Sequence, residues 1–185
     1  MHIVTELSAP TFLIAVPQLG DPNFTRAVIL ILEHGEKGSM GLVLSRSTNL
    51  TMDSFCDSQG IEYCGDGGEP VFVGGPVQTE RAFILHSPGP RGPETEDVLD
   101  GVCISYSQES LRMLSEQPTD QLRVFLGYAG WGPGQLAAEL QEGAWLIHEA
   151  SADLVFAGQG RDPWQEALAQ MGINPAQLVH SGAVH

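Results

Sequence analysis

Ala27-Val28-Ile29-Leu30-Ile31-Leu32 is followed by Glu33-His34-Gly35-Glu36-Lys37-Gly38 and, after Ser39, by Met40-Gly41-Leu42-Val43-Leu44. The first run is nearly all β-branched residues and leucine, with no polar alternation. That is the pattern of a strand covered on both faces. The second run is another buried strand. The turn stretch 33–38 between them is only six residues long, which suits a hairpin and makes the pair antiparallel.

Working outward, Phe12–Val16 is a short apolar strand closed by Pro17, and 19–23 (LGDPN) is a turn. Thr51–Gln59 reads as a short helix, and the Gly- and acid-rich stretch 57–69 as loop. Val71–Val73 is a strand ending at Gly74-Gly75-Pro76, and Ala82–Leu85 is another ending at His86. The proline-rich acidic stretch 87–97 is read as a loop, and Gly101–Tyr106 as a strand. Ser107 is an N-cap for a helix that Pro118 closes. Arg123–Gly127 and Ala144–Ile147 are strands. Helices are expected from Pro133 to about Glu142, and from Asp162-Pro163-Trp164 to Gly172. The tail 175–185 reads as one weak helical turn with little order.

The count is about eight strands and about four helices. There is no regular βαβα alternation, no internal repeat and no linker that would divide the chain. The expected fold is a single α+β domain spanning residues 1–185. Its mixed, strongly twisted sheet closes partly into a small barrel, flanked by helices.

Composition bounds the function. Of 185 residues, 42% are hydrophobic and 17% charged, a globular composition. Twenty-three acids face 8 bases, giving a formal charge of −15. A negative surface repels nucleic-acid backbones and anionic membranes, so direct binding to either is not expected. Cys56, Cys64 and Cys103 have no paired spacing, so neither a disulfide framework nor a metal ribbon is indicated. The N-terminus lacks a basic, apolar leader and the longest apolar run is too short to span a bilayer; the expected location is the cytoplasm.

Candidate binding residues come first from the stretch 126–136 (LGYAGWGPGQL). It reads as strand, glycine-rich turn and helix start, so backbone amides near Gly130, Trp131, Gly132, Gly134 and Gln135 could meet an anion. It is neither a P-loop nor a G-x-G-x-x-G fingerprint. The alternative is a tight turn that lets the helix pack close to the sheet. Gly74 and Gly75 form a second glycine-rich turn, and the two could flank one cleft. Arg81, with Arg26 and Arg46, could hold an anion or pair with acids. Glu33, His34 and His86 stand at strand ends as weaker acid–base candidates. No catalytic set is complete, and no metal or cofactor is indicated.

The segments FLIAVPQL, DPNFTRAVILILEH, GLVLSR, PVFVGGPV, FILH, LGYAGWGPGQLAAEL and WQEALAQMG occur in this order between about Phe12 and Gly172. Together they resemble the bacterial YqgE/AlgH family. The resemblance implies a bifurcated sheet with a small barrel, and no established reaction. One branch of that family was named for a transcriptional role in alginate production. This chain shows neither a helix-turn-helix pattern nor a basic stripe. Ser45 stands where the family usually has asparagine, which puts the role of that position in question. The expected function is a non-enzymatic binding or regulatory protein with an unidentified protein partner or a small anionic ligand. The alternative is a nucleotide-phosphate binder or enzyme using residues 127–136.

Overall fold

The computed structural model describes residues 7–158 and 160–176; of the weakly ordered tail expected at 175–185, residues 177–185 lie outside it. Ten strands and five helices follow one another as β1 (Thr11–Ala15), β2 (Val28–Gly35), β3 (Gly38–Val43), β4 (Ser47–Thr51), α1 (Met52–Ser58), β5 (Pro70–Val73), β6 (Val77–His86), β7 (Glu96–Leu99), β8 (Val102–Ser105), α2 (Gln108–Glu116), β9 (Leu122–Trp131), α3 (Gln135–Gln141), β10 (Trp145–His148), α4 (Ala152–Val155) and α5 (Pro163–Gln170). β4, β7 and α4 add to the elements read from sequence.

The strands form one curled sheet in the order β10-β1-β2-β3-β9-β6-β8-β7, with β5 branching from β9 and β4 pairing with β5. The result is a half-barrel in a mixed α+β domain. β2 and β3 pair antiparallel, as their short connection requires. The connection is tighter than six residues, because β2 runs on to Gly35 and β3 begins at Gly38. Glu33 and His34 are therefore strand residues. Among the described pairings, β5 with β9 is the parallel one.

The unbroken apolar runs are explained by two-sided burial. Phe12, Ile14, Val28 and Leu30 enter one core, which α5 covers with Trp164, Ala167 and Leu168. Leu13, Ala15, Ile29 and Ile31 point the other way, into a second core closed by Trp131, Leu136 and Trp145. Successive strand residues alternate faces, so both sets must be apolar. Met52, Phe55, Leu111 and Leu114 from α1 and α2 cover a third core over Val71, Ile84 and Val124.

Helix ends obey local capping chemistry. The Ser107 hydroxyl accepts from the Ser110 amide at 3.0 Å. Asp162 accepts from the Trp164 amide at 3.0 Å with Pro163 in the first turn.

β9 joins the two halves of the sheet. Its first half pairs with β5 at Phe125 and Leu126, and with β6 from Leu122 to Leu126. Its second half pairs with β3 at Ala129, Gly130 and Trp131. Gly127 lies between them with φ 75°, the left-handed conformation that glycine adopts without steric cost. The glycine-rich stretch that the sequence suggests is a turn is thus the bend of a continuous strand.

Candidate functional site

The second glycine pair meets this bend directly. The Gly74 amide donates to Leu126 O at 2.8 Å, and Gly74 O accepts from the Val43 amide at 2.8 Å. A Cβ on Gly74 would stand 2.3 Å from Gly127 O. Gly74 and Gly75 therefore pack onto β9 and leave no opening between the two glycine-rich segments.

The helix start beyond the bend also differs from the strand–turn–helix reading. α3 begins at Gln135, with Gly134 as its N-cap, and has seven residues. The Gly132 amide donates to the Gln135 side-chain oxygen at 3.0 Å. Glu139 lies over the same turn. One of its oxygens accepts from the Trp131 and Trp145 indoles at 3.2 and 3.0 Å, and the other from Gln135 Nε2 at 3.1 Å. The Gly132 amide is thus already satisfied, and a carboxylate of the protein itself lies beside the turn.

A different grouping brings several of the candidates together. Arg81, Gly130 and Trp131 line one cleft of about 650 Å³ with Glu33 and Lys37. Phe83, Tyr106 and Tyr128 supply its aromatic wall. Phe83 meets Tyr106 and Tyr128 edge-on, with ring centroids 5.8 and 6.1 Å apart. The Arg81 guanidinium lies over Phe83 at 4.9 Å and over Tyr106 at 6.0 Å. Both rings attract the cation through their faces. Among the described residues Arg81 has neither a carboxylate partner nor a hydrogen-bond acceptor. Burial raises the Tyr106 phenol above its ordinary value, and Glu96 and Glu33 raise it further. Tyr106 therefore stays a neutral hydrogen-bond donor.

Glu33 reaches the cleft because β2 continues past Leu32. His34, on the next position, bonds across the hairpin to Ser39 Oγ, 2.6 Å from Nδ1, and Ser39 lines the cleft. Nothing in the sequence pattern marks Phe83, Tyr106 and Tyr128 as wall residues. Phe83 is on β6, Tyr128 on β9 and Tyr106 just past β8, and they become neighbours because β6 pairs with both β8 and β9.

The remaining candidates lie elsewhere. His86 is 1% exposed. Its Nδ1 donates to Ser87 O at 3.0 Å, and its Nε2 accepts from Ser105 Oγ at 2.8 Å. Burial lowers its pKa below the ordinary 6.5. The imidazole is a neutral core residue that does not line the cleft. Arg26 and Arg46 share a neighbouring hollow with Ser45, apart from Arg81. Arg26 pairs with Asp162 at 2.8 Å, and Arg46 donates to Pro22 O at 2.8 Å. The Ser45 hydroxyl accepts from the Val28 amide at 3.3 Å, so a serine makes a structural bond at that position. Among the described residues, no three His, Cys, Asp or Glu side chains group as metal ligands. No helix among them is long and apolar enough to cross a membrane.

Comparison with known proteins agrees with the sheet geometry. The AlgH-like family pattern matches residues 12–176. A UPF0301 protein of Myxococcus xanthus is 44% identical over 172 residues, covering 92% of this chain and 94% of that protein. One from Thioalkalivibrio sulfidiphilus is 42% identical over 177 residues, with 94% of each covered. The solution structure of the AlgH protein from Pseudomonas aeruginosa superposes with TM-score 0.76 at 33% identity, covering 94% of this chain and 96% of that one. A crystal structure of a Corynebacterium diphtheriae protein shares the fold at TM-score 0.78 and 21% identity, covering 94% and 92%. The fold is therefore a shared one, and this chain is a member of the YqgE/AlgH family of AlgH-like proteins.

Proposed function

We propose that the protein is a non-catalytic binding protein whose cleft takes a small planar molecule bearing a carboxylate or phosphate. Arg81 carries this reading: a guanidinium within cation–π distance of two aromatic rings, its donors unclaimed among the described residues, facing a cleft of about 650 Å³. Such a fork matches an acidic group in two-point contact. The aromatic wall buries the ligand's flat body. Glu33 and Glu96 accept hydrogen bonds from its edge. Binding without turnover is favoured because His34 turns its Nδ1 to Ser39, and the lining offers no activated nucleophile with a third orienting group. A regulatory role would follow from occupancy of this cleft.

The test is thermal unfolding with benzoate and indole-3-acetate, for the parent chain and Arg81→Gln. A ligand at about a hundredfold its Kd stabilises the native state by about 2.7 kcal/mol, or roughly 5–10 °C for a chain of this size. The shift should vanish in Arg81→Gln. An unchanged shift in that variant refutes the assignment of the site.

A further inference from the structure

On the other flank of the sheet, β4, β5, β9 and the segment between α4 and α5 enclose a second cavity of about 480 Å³. Its charged lining is Arg123 and Arg161, with no carboxylate among the lining residues. Arg161 is paired with Asp153 and Glu166, whereas Arg123 has no ion pair among the described residues. Arg123 comes from β9 and lies over the Phe72 ring at 5.0 Å. Its Nη1 donates to Val155 O at 3.1 Å and its Nη2 to Ala157 O. Its other N–H groups have no acceptor among the described residues, and no carboxylate forms an ion pair with it there. Burial lowers its pKa, opposed only by Glu69. A half-buried guanidinium without a counter-charge is costly unless an anion completes it.

The facing wall has a different chemistry. Ser47 and Asn49 project from β4 into the same space, and their side chains form no hydrogen bond among the described residues. The Ser45 hydroxyl, which accepts from the Val28 amide, keeps its own hydrogen for donation. Acidic groups sit around this cavity but outside it. Glu69 and Asp153 line an adjoining hollow that shares Phe72, Arg123 and Arg161 with this cavity. Asp153 and Glu166 bind Arg161 at 3.3 and 2.6 Å, so Arg123 is the principal free charge. At physiological salt the Debye length is about 8 Å. Charge farther away is largely screened, so the nearby groups set the field, and among them Arg123 is the one that no acid pairs.

We infer that this cavity is a binding site for a small sugar phosphate. The phosphate sits on Arg123, with Arg161 at its edge, and the hydroxylated body lies along Ser45, Ser47 and Asn49. The site is independent of the aromatic cleft.

The test is amide-shift titration of the isotope-labelled chain with ribose 5-phosphate and, separately, with inorganic phosphate. Saturable shifts are expected at residues 45–51 and at Arg123 and Arg161, with ribose 5-phosphate binding more tightly than phosphate. Arg123→Gln should weaken binding at least tenfold. That variant removes bonds to the α4 carbonyls, so Asn49→Ala, at an exposed position, serves as the second. It should weaken ribose 5-phosphate severalfold and leave inorganic phosphate unchanged. Arg81→Gln should leave both titrations as they are. Absence of saturable shifts, equal affinity for the two probes, or loss of binding in Arg81→Gln would overturn the inference.

Discussion

Alanine at Gly127 and at Gly130 should have opposite effects on stability, although the two glycines lie three residues apart on one strand. Gly127 has φ 75°, and a Cβ there would stand 2.4 Å from Gly75 O and 3.1 Å from Val77 O. The left-handed conformation costs a non-glycine residue about 1–2 kcal/mol. Forcing a methyl group into packed backbone adds about 1–3 kcal/mol. Neither oxygen belongs to a flexible side chain that could step aside. The sum is roughly 2–5 kcal/mol, a fall in Tm of about 5–15 °C. At Gly130 the nearest atom to a new Cβ is on the Tyr128 ring at 3.5 Å, an ordinary contact. Alanine there fits, and restricting the unfolded chain should add about 0.4–1 kcal/mol. Thermal and urea unfolding of the two variants measures the difference. Equal, small effects would refute the argument that Gly127 is the bend on which the two halves of the sheet depend.

Three further outcomes follow from the same geometry. Glu139→Ala strands two indole N–H groups, on Trp131 and Trp145, and should cost about 2–4 kcal/mol in urea unfolding, while Glu139→Gln, which keeps an acceptor, should cost about 1 kcal/mol. Trp164 donates to Ala15 O at 2.7 Å from a buried position, so Trp164→Phe should cost about 1–3 kcal/mol by the same assay. The folded-state pKa of His86 lies below its ordinary 6.5 because of burial, so the unfolded chain takes up this proton first as pH falls. Its stabilising contribution is complete above the unfolded value and is lost as pH drops from there through the folded value. Tm measured from about pH 8 to about pH 5 should fall more steeply for the parent chain than for His86→Gln.

What the sequence made legible was what local pattern controls. The apolar run at 27–32 reads as a strand covered on both faces and that at 12–16 as a short strand, and the two cores on either side of β1 and β2 account for both. Ser107 and Asp162 marked helix starts through capping chemistry that needs only neighbouring residues. β4 was missed because STNLT alternates without a large apolar face, and β7 because EDVL follows a proline-rich acidic stretch. β4 pairs with β5 some twenty residues on, whereas β7 pairs with β8 across the two-residue Asp100-Gly101 turn, a local hairpin signal that the loop reading of 87–97 passes over. Of the glycines in 126–136, Gly127 owes its place to a contact with Gly75 some fifty residues earlier, which no local pattern displays. The aromatic cleft was half visible: Arg81, Gly130, Trp131 and Glu33 were candidates, but their common neighbourhood depends on the curl of the sheet.

The central claim is that the Arg81 cleft is a ligand site, and mapping a ligand onto it tests that most directly. In an amide-shift titration with indole-3-acetate, perturbations should concentrate at residues 33, 37–40, 77–83, 106 and 128–131, which line or adjoin the cleft. They should be lost in Gly130→Leu, whose side chain would project from an open strand position into the space. Perturbations that saturate at another surface, or that persist in Gly130→Leu, would contradict it.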